Sequence, residues 1–305
     1  MRILITGATG LIGKKITQIC HEKGVGVNYL TTSKKKIKEK ENYRGFFWNP
    51  SSGEIDVRCL EGVGAIINLA GASVFQPWTK KAKANILNSR VDSLNLLFQT
   101  LKNNPHEVGQ IISASAIGIY ESSYQKMHYE DESAVDNSFL GKVVQKWEAA
   151  VDPFKDLGLR VAKVRIGLVL SNEGGALPQM QRPLAYNLGT SLGSGQQWQS
   201  WIHIEDLARI FLHILENGLT GVYNGVAPNP ATNEDLTEQL AKTMDKKLWL
   251  PKVPSFMLKL VMGEMSSAVL SSQLVSSKKI ENTGFDFRYT NLEKAFEDLW
   301  HKKTG

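Results

Sequence analysis

Cysteine is scarce in this 305-residue chain: only Cys20 and Cys59 occur. They form no metal-binding spacing and no disulfide framework, so a reducing compartment, the cytoplasm, is expected. No apolar run reaches membrane-spanning length, and a glycine motif within the first thirteen residues leaves no room for a signal peptide. Internal repeats and low-complexity segments are also missing. Acidic residues number 30 against 36 basic ones, which leaves a net charge of +6. Such a surplus suits an anionic small molecule. The lysines, however, lie in short runs at 34–36, 80–83 and 278–279 without interleaved aromatics. That pattern predicts a solvated face, with neither nucleic acid nor membrane as a partner.

Hydrophobic residues make up 42% of the chain and charged residues 22%, an ordinary globular balance with length enough for one large core or two smaller ones. The chain is organised around residues 1–13. An apolar run, Arg2-Ile3-Leu4-Ile5-Thr6, leads into Gly7-Ala8-Thr9-Gly10-Leu11-Ile12-Gly13 and then a helical pattern to His21. A strand ending in a glycine turn that opens a helix is the phosphate cradle of a dinucleotide-binding βαβ unit. Gly7 permits the tight turn, Gly10 lets backbone approach a pyrophosphate, and Gly13 lets helix and strand pack closely. The free N–H groups at the helix start then hold the phosphates.

Strands and helices alternate through the first half. Strands are expected over residues 25–31, 45–48, 65–70, 110–114 and 160–166, and helices over 78–101 and 139–154. This succession predicts an α/β fold, a Rossmann-like doubly wound parallel sheet. From Gly167 the rhythm changes to a glycine-punctuated loop region ending at Trp201-Ile202-His203-Ile204. A helix over 205–215, a short strand over 221–224, and then helices around one short strand at 247–250 follow. The expected division is a nucleotide-binding domain over 1–170, which also takes in 202–226. A smaller, mainly helical C-terminal cap would come from 171–201 and 227–305. The Met-bearing stretch 256–270 is expected in the cap core, with the pocket or a homodimer interface as its alternative.

Cofactor choice is set where the second strand ends, some 20 residues past the last glycine, where an acid would hold the ribose 2′-hydroxyl of NAD. Here stand Thr31-Thr32-Ser33-Lys34-Lys35-Lys36, with no carboxylate. Hydroxyls and ammonium groups suit a 2′-phosphate, so NADP(H) is favoured. A solvated lysine loop is the plainer alternative.

At this point a resemblance emerges. The glycine motif, Asn68-Leu69-Ala70-Gly71, Ser113-Ala114-Ser115, and Gly193-x-Gly195 leading to Trp201-Ile202-His203-Ile204-Glu205-Asp206 together resemble extended short-chain dehydrogenases/reductases, which include nucleotide-sugar epimerases. Trp147-Glu148-Ala149-Ala150, Asn224-Gly225-Val226-Ala227-Pro228 and Gly284-Phe285-Asp286-Phe287-Arg288-Tyr289 are similar to the atypical "epimerase family" branch, once described as cell-division inhibitors. The resemblance implies Thr9, Leu11 and Ile12 beside the phosphates and Thr31 and Thr32 near the adenosine ribose. It also implies Leu69 and Ala70 lining the cofactor, Asn85 and Arg90 reaching toward it, and Val169 on the nicotinamide side. NADPH-binding members carry a Ser-Arg pair in place of Thr31 and Thr32; with that arginine missing, Lys34 or Lys36 would have to substitute. For Arg90 a surface ion pair with a helical neighbour is an equal alternative.

The superfamily uses a serine and a Tyr-x-x-x-Lys pair to exchange a proton with the substrate oxygen. Ser115 stands at the serine position, but Phe139 and Val143 occupy the other two, and no tyrosine in the chain has lysine four residues on. Substitutes are Tyr120, Lys142 and the acidic run Glu130, Asp131 and Glu132, each with a structural alternative: a half-buried aromatic, a solvated charge and a helix-dipole partner. His203 and Asp206 are expected to be structural, Asp206 supporting its helix start. The expected function is an NADP(H)-binding oxidoreductase or epimerase-like enzyme acting on a small-molecule substrate that the sequence does not name. The alternative is a catalytically silent NADPH-binding regulator acting through a protein partner.

Overall fold

The computed structural model describes residues 1–304, with side chains through Trp300. Seven parallel strands form its centre: β1 (Arg2–Thr6), β2 (Gly26–Thr31), β3 (Tyr43–Asn49), β4 (Val63–Asn68), β5 (Gln110–Ala116), β6 (Arg160–Ile166) and β7 (Gly221–Gly225). Their spatial order is 3-2-1-4-5-6-7, so the winding reverses between β1 and β4. The two-residue strands Glu39–Lys40 and Glu54–Ile55 pair antiparallel with β3 at that edge. The central strands are apolar without alternation because helices cover both faces: Ile3, Leu4, Ile5, Ile66, Ile67, Ile111 and Ile112 are all fully buried.

Among the described residues ten helices complete the frame: α1 (Leu11–Glu22), α2 (Lys80–Asn103), α3 (Phe139–Val151), α4 (Leu177–Ala185), α5 (Ile204–Glu216), α6 (Asn233–Thr243), α7 (Ser255–Met262), α8 (Ser266–Leu270), α9 (Lys278–Glu281) and α10 (Leu292–Thr304). α1 packs on α5 and α2 on α3, the two helical layers of a doubly wound sheet. A second core gathers Leu170, Leu177, Leu184, Trp201, Leu236, Leu240 and Phe296 beyond the sheet. Among the described residues no helix is long and apolar enough to cross a membrane.

The structure departs from the sequence expectations in four places. α3 stops at Val151, and a 3₁₀ segment, Asp152–Leu157, follows, because Pro153 offers no N–H to continue the α pattern. Residues 247–250 form no strand: Trp249 is exposed, its indole N–H donates to the Asn187 carbonyl at 2.8 Å, and Pro251 follows. Asp206 lies in the first turn of α5, at its positive dipole end, but does not cap the helix. Its carboxylate instead accepts the Arg288 and Tyr289 N–H groups at 3.1 and 2.9 Å and pairs with Arg209 at 2.8 Å, which anchors the C-terminal segment to α5. His203 caps α5 in its place, Nδ1 accepting from Glu205 N at 3.2 Å. Finally, the stretch 256–270 is only partly core. Leu258 is buried, while Phe256, Leu260 and Val261 are 70%, 84% and 83% exposed.

Candidate functional site

The carboxyl ends of β2, β1 and β4 lie side by side, since Thr6 pairs with Leu30 on one flank and Asn68 on the other. The three loops leaving these strands therefore converge at the reversal point, where ligands bind in open α/β sheets. Gly7 has φ +73°, and a Cβ there would come within 2.9 Å of the Leu69 carbonyl oxygen. At Gly13 a Cβ would lie 2.3 Å from the Gly7 oxygen and 2.6 Å from the Ala8 Cα, so only glycine lets α1 start this close to the turn. Around Gly10 a Cβ would meet the Gly7 oxygen alone, at 3.2 Å. Gly10 is also the residue before α1, and no side chain caps that helix. Thr9, Leu11 and Ile12 thus border an uncapped, positively polarised helix end.

A residue not singled out from the sequence ties the turn to its neighbour loop. The Thr6 hydroxyl accepts the N–H groups of Leu69 and Ala70, both at 3.0 Å, and donates to Asn68 Oδ1 at 2.7 Å. Asn68 Nδ2 in turn donates to Ser113 Oγ at 3.0 Å. Beyond Ala70, Gly71 makes room for Arg90: a Cβ would stand 3.0 Å from the guanidinium carbon. Arg90 donates to the Ala72 and Ile86 carbonyls at 3.1 and 2.7 Å and lies over the Trp147 ring at 4.9 Å. Among the described residues Arg90 makes no ion pair with a helical neighbour, and burial lowers its pKa to about 10. Asn85, earlier on α2, is exposed.

At the end of β2, Thr31 is buried and its hydroxyl accepts the Ser33 N–H at 3.2 Å. Thr32 is exposed, and Lys34–Lys36 form an exposed 3₁₀ turn with Lys34 Nζ 4.9 Å from the centre of the Phe47 ring. Residues 31–36 carry no carboxylate. Val169 lies on the strand Leu168–Leu170, which pairs with Trp201–His203. The glycine pair after it closes on α1, since a Cβ at Gly175 would be 3.6 Å from the Val169 oxygen and 3.4 Å from Leu11 Cδ2.

The residues expected to handle protons are placed differently. Ser115 Oγ donates to Glu148 Oε1 at 2.6 Å, and Glu148 is held bidentately by Arg165 at 2.9 and 3.1 Å. Arg165 also donates to the Tyr120 hydroxyl at 2.9 Å, and that hydroxyl donates to Asn224 Oδ1 at 2.7 Å. All five side chains are buried. Burial pushes the Tyr120 pKa up to about 12. Burial alone would lower the Arg165 guanidinium, but the bonds and charge of Glu148 outweigh it and keep Arg165 protonated. In this structure the hydroxyl protons of Ser115 and Tyr120 are both donated within the protein, to Glu148 and Asn224. Arg165 carries no sequence signal that would have paired it with them. Glu130 joins the same cluster, accepting Asn224 N at 2.9 Å, rather than lying before a helix as a dipole partner. Glu132 pairs with Lys126 and His128, and Lys142 is exposed. Phe139 packs edge-on against Trp78 at 5.0 Å with Lys83 Nζ 5.2 Å from its ring centre, and Val143 is buried. Lys83 pairs with Glu264, joining α2 to the segment after α7.

Beside Leu168 and Gly175 opens a cavity of about 500 Å³, enclosed by α4, α6 and the segment around Met262, Met265 and Val269, with Phe75 at one side. Gly175 on its wall stands next to the cradle, where an added Cβ would lie 3.4 Å from Leu11 Cδ2 and 3.6 Å from the Val169 oxygen.

A parallel sheet of this order, with a glycine turn at its reversal point and a helical cap, defines a Rossmann-like protein of the extended short-chain dehydrogenase/reductase class. The chain belongs to the NAD dependent epimerase/dehydratase family, whose model matches residues 3–225. A domain of unknown function matches residues 253–299. An epimerase family protein of Staphylococcus saprophyticus is 37% identical over 305 residues, covering 98% of this chain and 99% of its own. The epimerase family protein YfhF of Bacillus subtilis is 35% identical over 300 residues, covering 98% of each. Among solved structures, human epimerase family protein SDR39U1 (isoform 2) with NADPH superposes with a TM-score of 0.86 at 29% identity, covering 99% of both chains. A UDP-glucuronic acid 4-epimerase of Bacillus cereus superposes with a TM-score of 0.80 at 16% identity over 99% of this chain and 100% of its own, a likeness of fold.

Proposed function

We propose that the chain is an NADP(H)-binding oxidoreductase or epimerase-like protein of the extended short-chain type that works without the Tyr-x-x-x-Lys proton relay. The observation carrying this reading is the cradle: Gly7 and Gly13 sit where a Cβ cannot, and the uncapped start of α1 opens beside an acid-free β2 end. The NADPH in the human relative's structure supports the same choice. Backbone at Gly7, Thr9, Gly10, Leu11, Ile12 and Gly13 would take the pyrophosphate. Thr31, Thr32, Ser33 and Lys34 would take the adenosine ribose and its 2′-phosphate. Leu69, Ala70 and Gly71 would line the ligand, with Asn85 and Arg90 beyond them and Val169 toward the nicotinamide. Residues 1–170 and 202–226 would carry this half, and the cap the substrate.

When bound, the nicotinamide supplies or accepts a hydride. Phe139 cannot exchange a proton, so help worth about a hundred- to ten-thousandfold in rate is forgone. Reactions whose reduced product takes its proton from water suit such a site. Titration with both cofactors tests the reading: NADPH should bind more tightly than NADH, and Lys34→Glu with Lys36→Glu should reverse the order, since like charges repel the 2′-phosphate. Equal affinities, or tighter NADH, would remove it. A second reading, a silent NADP(H) sensor acting through a partner at its cap, draws on one observation: no ionisable side chain lines the cavity.

A further inference from the structure

The cavity's chemistry narrows what could occupy it. Every lining residue is apolar, glycine or uncharged, and none is Lys, Arg, His, Asp or Glu. The neighbouring charges are turned elsewhere: Arg182 is exposed on α4, and Glu264 pairs with Lys83. The uncharged polar groups are largely spent. Thr190 and Thr237 hydroxyls donate to the Pro251 and Asn233 carbonyls at 2.8 and 2.7 Å, and Asn233 Oδ1 accepts the Leu192 N–H at 2.8 Å. Among the described residues the side-chain amides of Gln179 and Gln199 have no hydrogen-bond partner; Gln179 is exposed at the rim, and Gln199 is half-buried in the wall.

A nucleoside diphosphate sugar carries two negative charges on its diphosphate. Burying them against this lining, with no cation to pair them, would cost far more than the apolar contacts return. An uncharged molecule with one carbonyl oxygen needs a single neutral donor, and an amide N–H is that donor. The volume is that of an ordinary small-molecule site, and its mainly apolar wall favours an apolar body. Resting on the oxidoreductase reading above, we propose that the cavity binds an uncharged, largely apolar carbonyl compound, held by Gln179 or Gln199, and does not bind a nucleoside diphosphate sugar.

The test uses the full chain, Nile red as an uncharged apolar probe, and benzophenone and UDP-glucose as competitors, with and without NADPH. Nile red emission should rise and saturate; benzophenone should displace the probe and UDP-glucose should not. Met265→Glu should weaken probe binding by at least about tenfold because it buries a charge in an apolar wall, whereas Met265→Leu should leave it unchanged. Gln199→Leu together with Gln179→Leu should weaken benzophenone several-fold while sparing Nile red. NADPH is titrated into the same samples. NADPH binding alongside displacement by UDP-glucose, or full Nile red affinity in a folded Met265→Glu variant, would overturn the proposal. Probe binding as described without any NADPH binding would instead sink the cofactor reading and leave the cavity's character standing. If Met265→Glu fails to fold by circular dichroism, Ala268→Glu takes its place, and the competition on the unaltered chain decides by itself.

Discussion

Ser115, Glu148, Arg165, Tyr120 and Asn224 come from five separate positions and meet in one buried, hydrogen-bonded cluster. A buried ion pair stays favourable only while every partner is in place, and removing one leaves a charge stranded. Glu148→Ala should therefore destabilise the fold by about 3–5 kcal/mol. Ser115→Ala, which removes a donor to that carboxylate, should cost about 1–3 kcal/mol and leave NADPH affinity unchanged. Chemical denaturation reads the first effect and cofactor titration the second. A Ser115→Ala variant of full stability with lost turnover would return Ser115 to the substrate. Ser115 and Tyr120 were legible in the sequence as polar groups after a buried strand. Their partners were not, because Glu148 and Arg165 read as ordinary charges on a helix and a strand, and only the fold brings them within 3.1 Å.

At the scale of elements, local signals translate well. The β1–turn–α1 unit was legible because its glycines are required by close contacts within the unit: Gly13 against Gly7 and Ala8. Gly13→Ala should cost on the order of 3 kcal/mol, since a Cβ must displace backbone, and should abolish NADPH binding. Gly24→Ala is the control. Its φ is +69° but nothing lies within 4 Å, so the loss should be strain alone, about 1 kcal/mol, with NADPH affinity intact. Thermal melts and titration of both variants check this, and Gly13→Ala binding NADPH normally would contradict it. The strand expected at 247–250 failed for a nonlocal reason. Leu248 and Leu250 alternate as a strand would, yet Trp249 between them is tied to the Asn187 carbonyl and Pro251 follows without an N–H. The reverse holds for Leu274–Val275 and Met127–His128, which pair in parallel across nearly half of the chain and leave no pattern in two-residue segments.

For the molecule as a whole, a glycine cradle at the carboxyl edge of the sheet and an apolar cavity lie near one another, with Gly175 on the cavity wall next to Leu11 of the cradle. The cradle reads out of the sequence because it is continuous in the chain. The cavity does not, because its wall is assembled from Phe75, Leu168, α4, α6 and the segment after α7. On the reading proposed above, the two together would carry a hydride to an uncharged acceptor with no acid from the Tyr-x-x-x-Lys positions. Incubating the chain with NADPH deuterated at the transferring position and benzophenone, and weighing the alcohol by mass spectrometry, tests that most directly. Deuterium in the product, lost with Met265→Glu but retained with Ser115→Ala, is the predicted result. Tight NADPH binding with no deuterium transferred to benzophenone or to any other uncharged carbonyl compound would contradict it and leave a sensor.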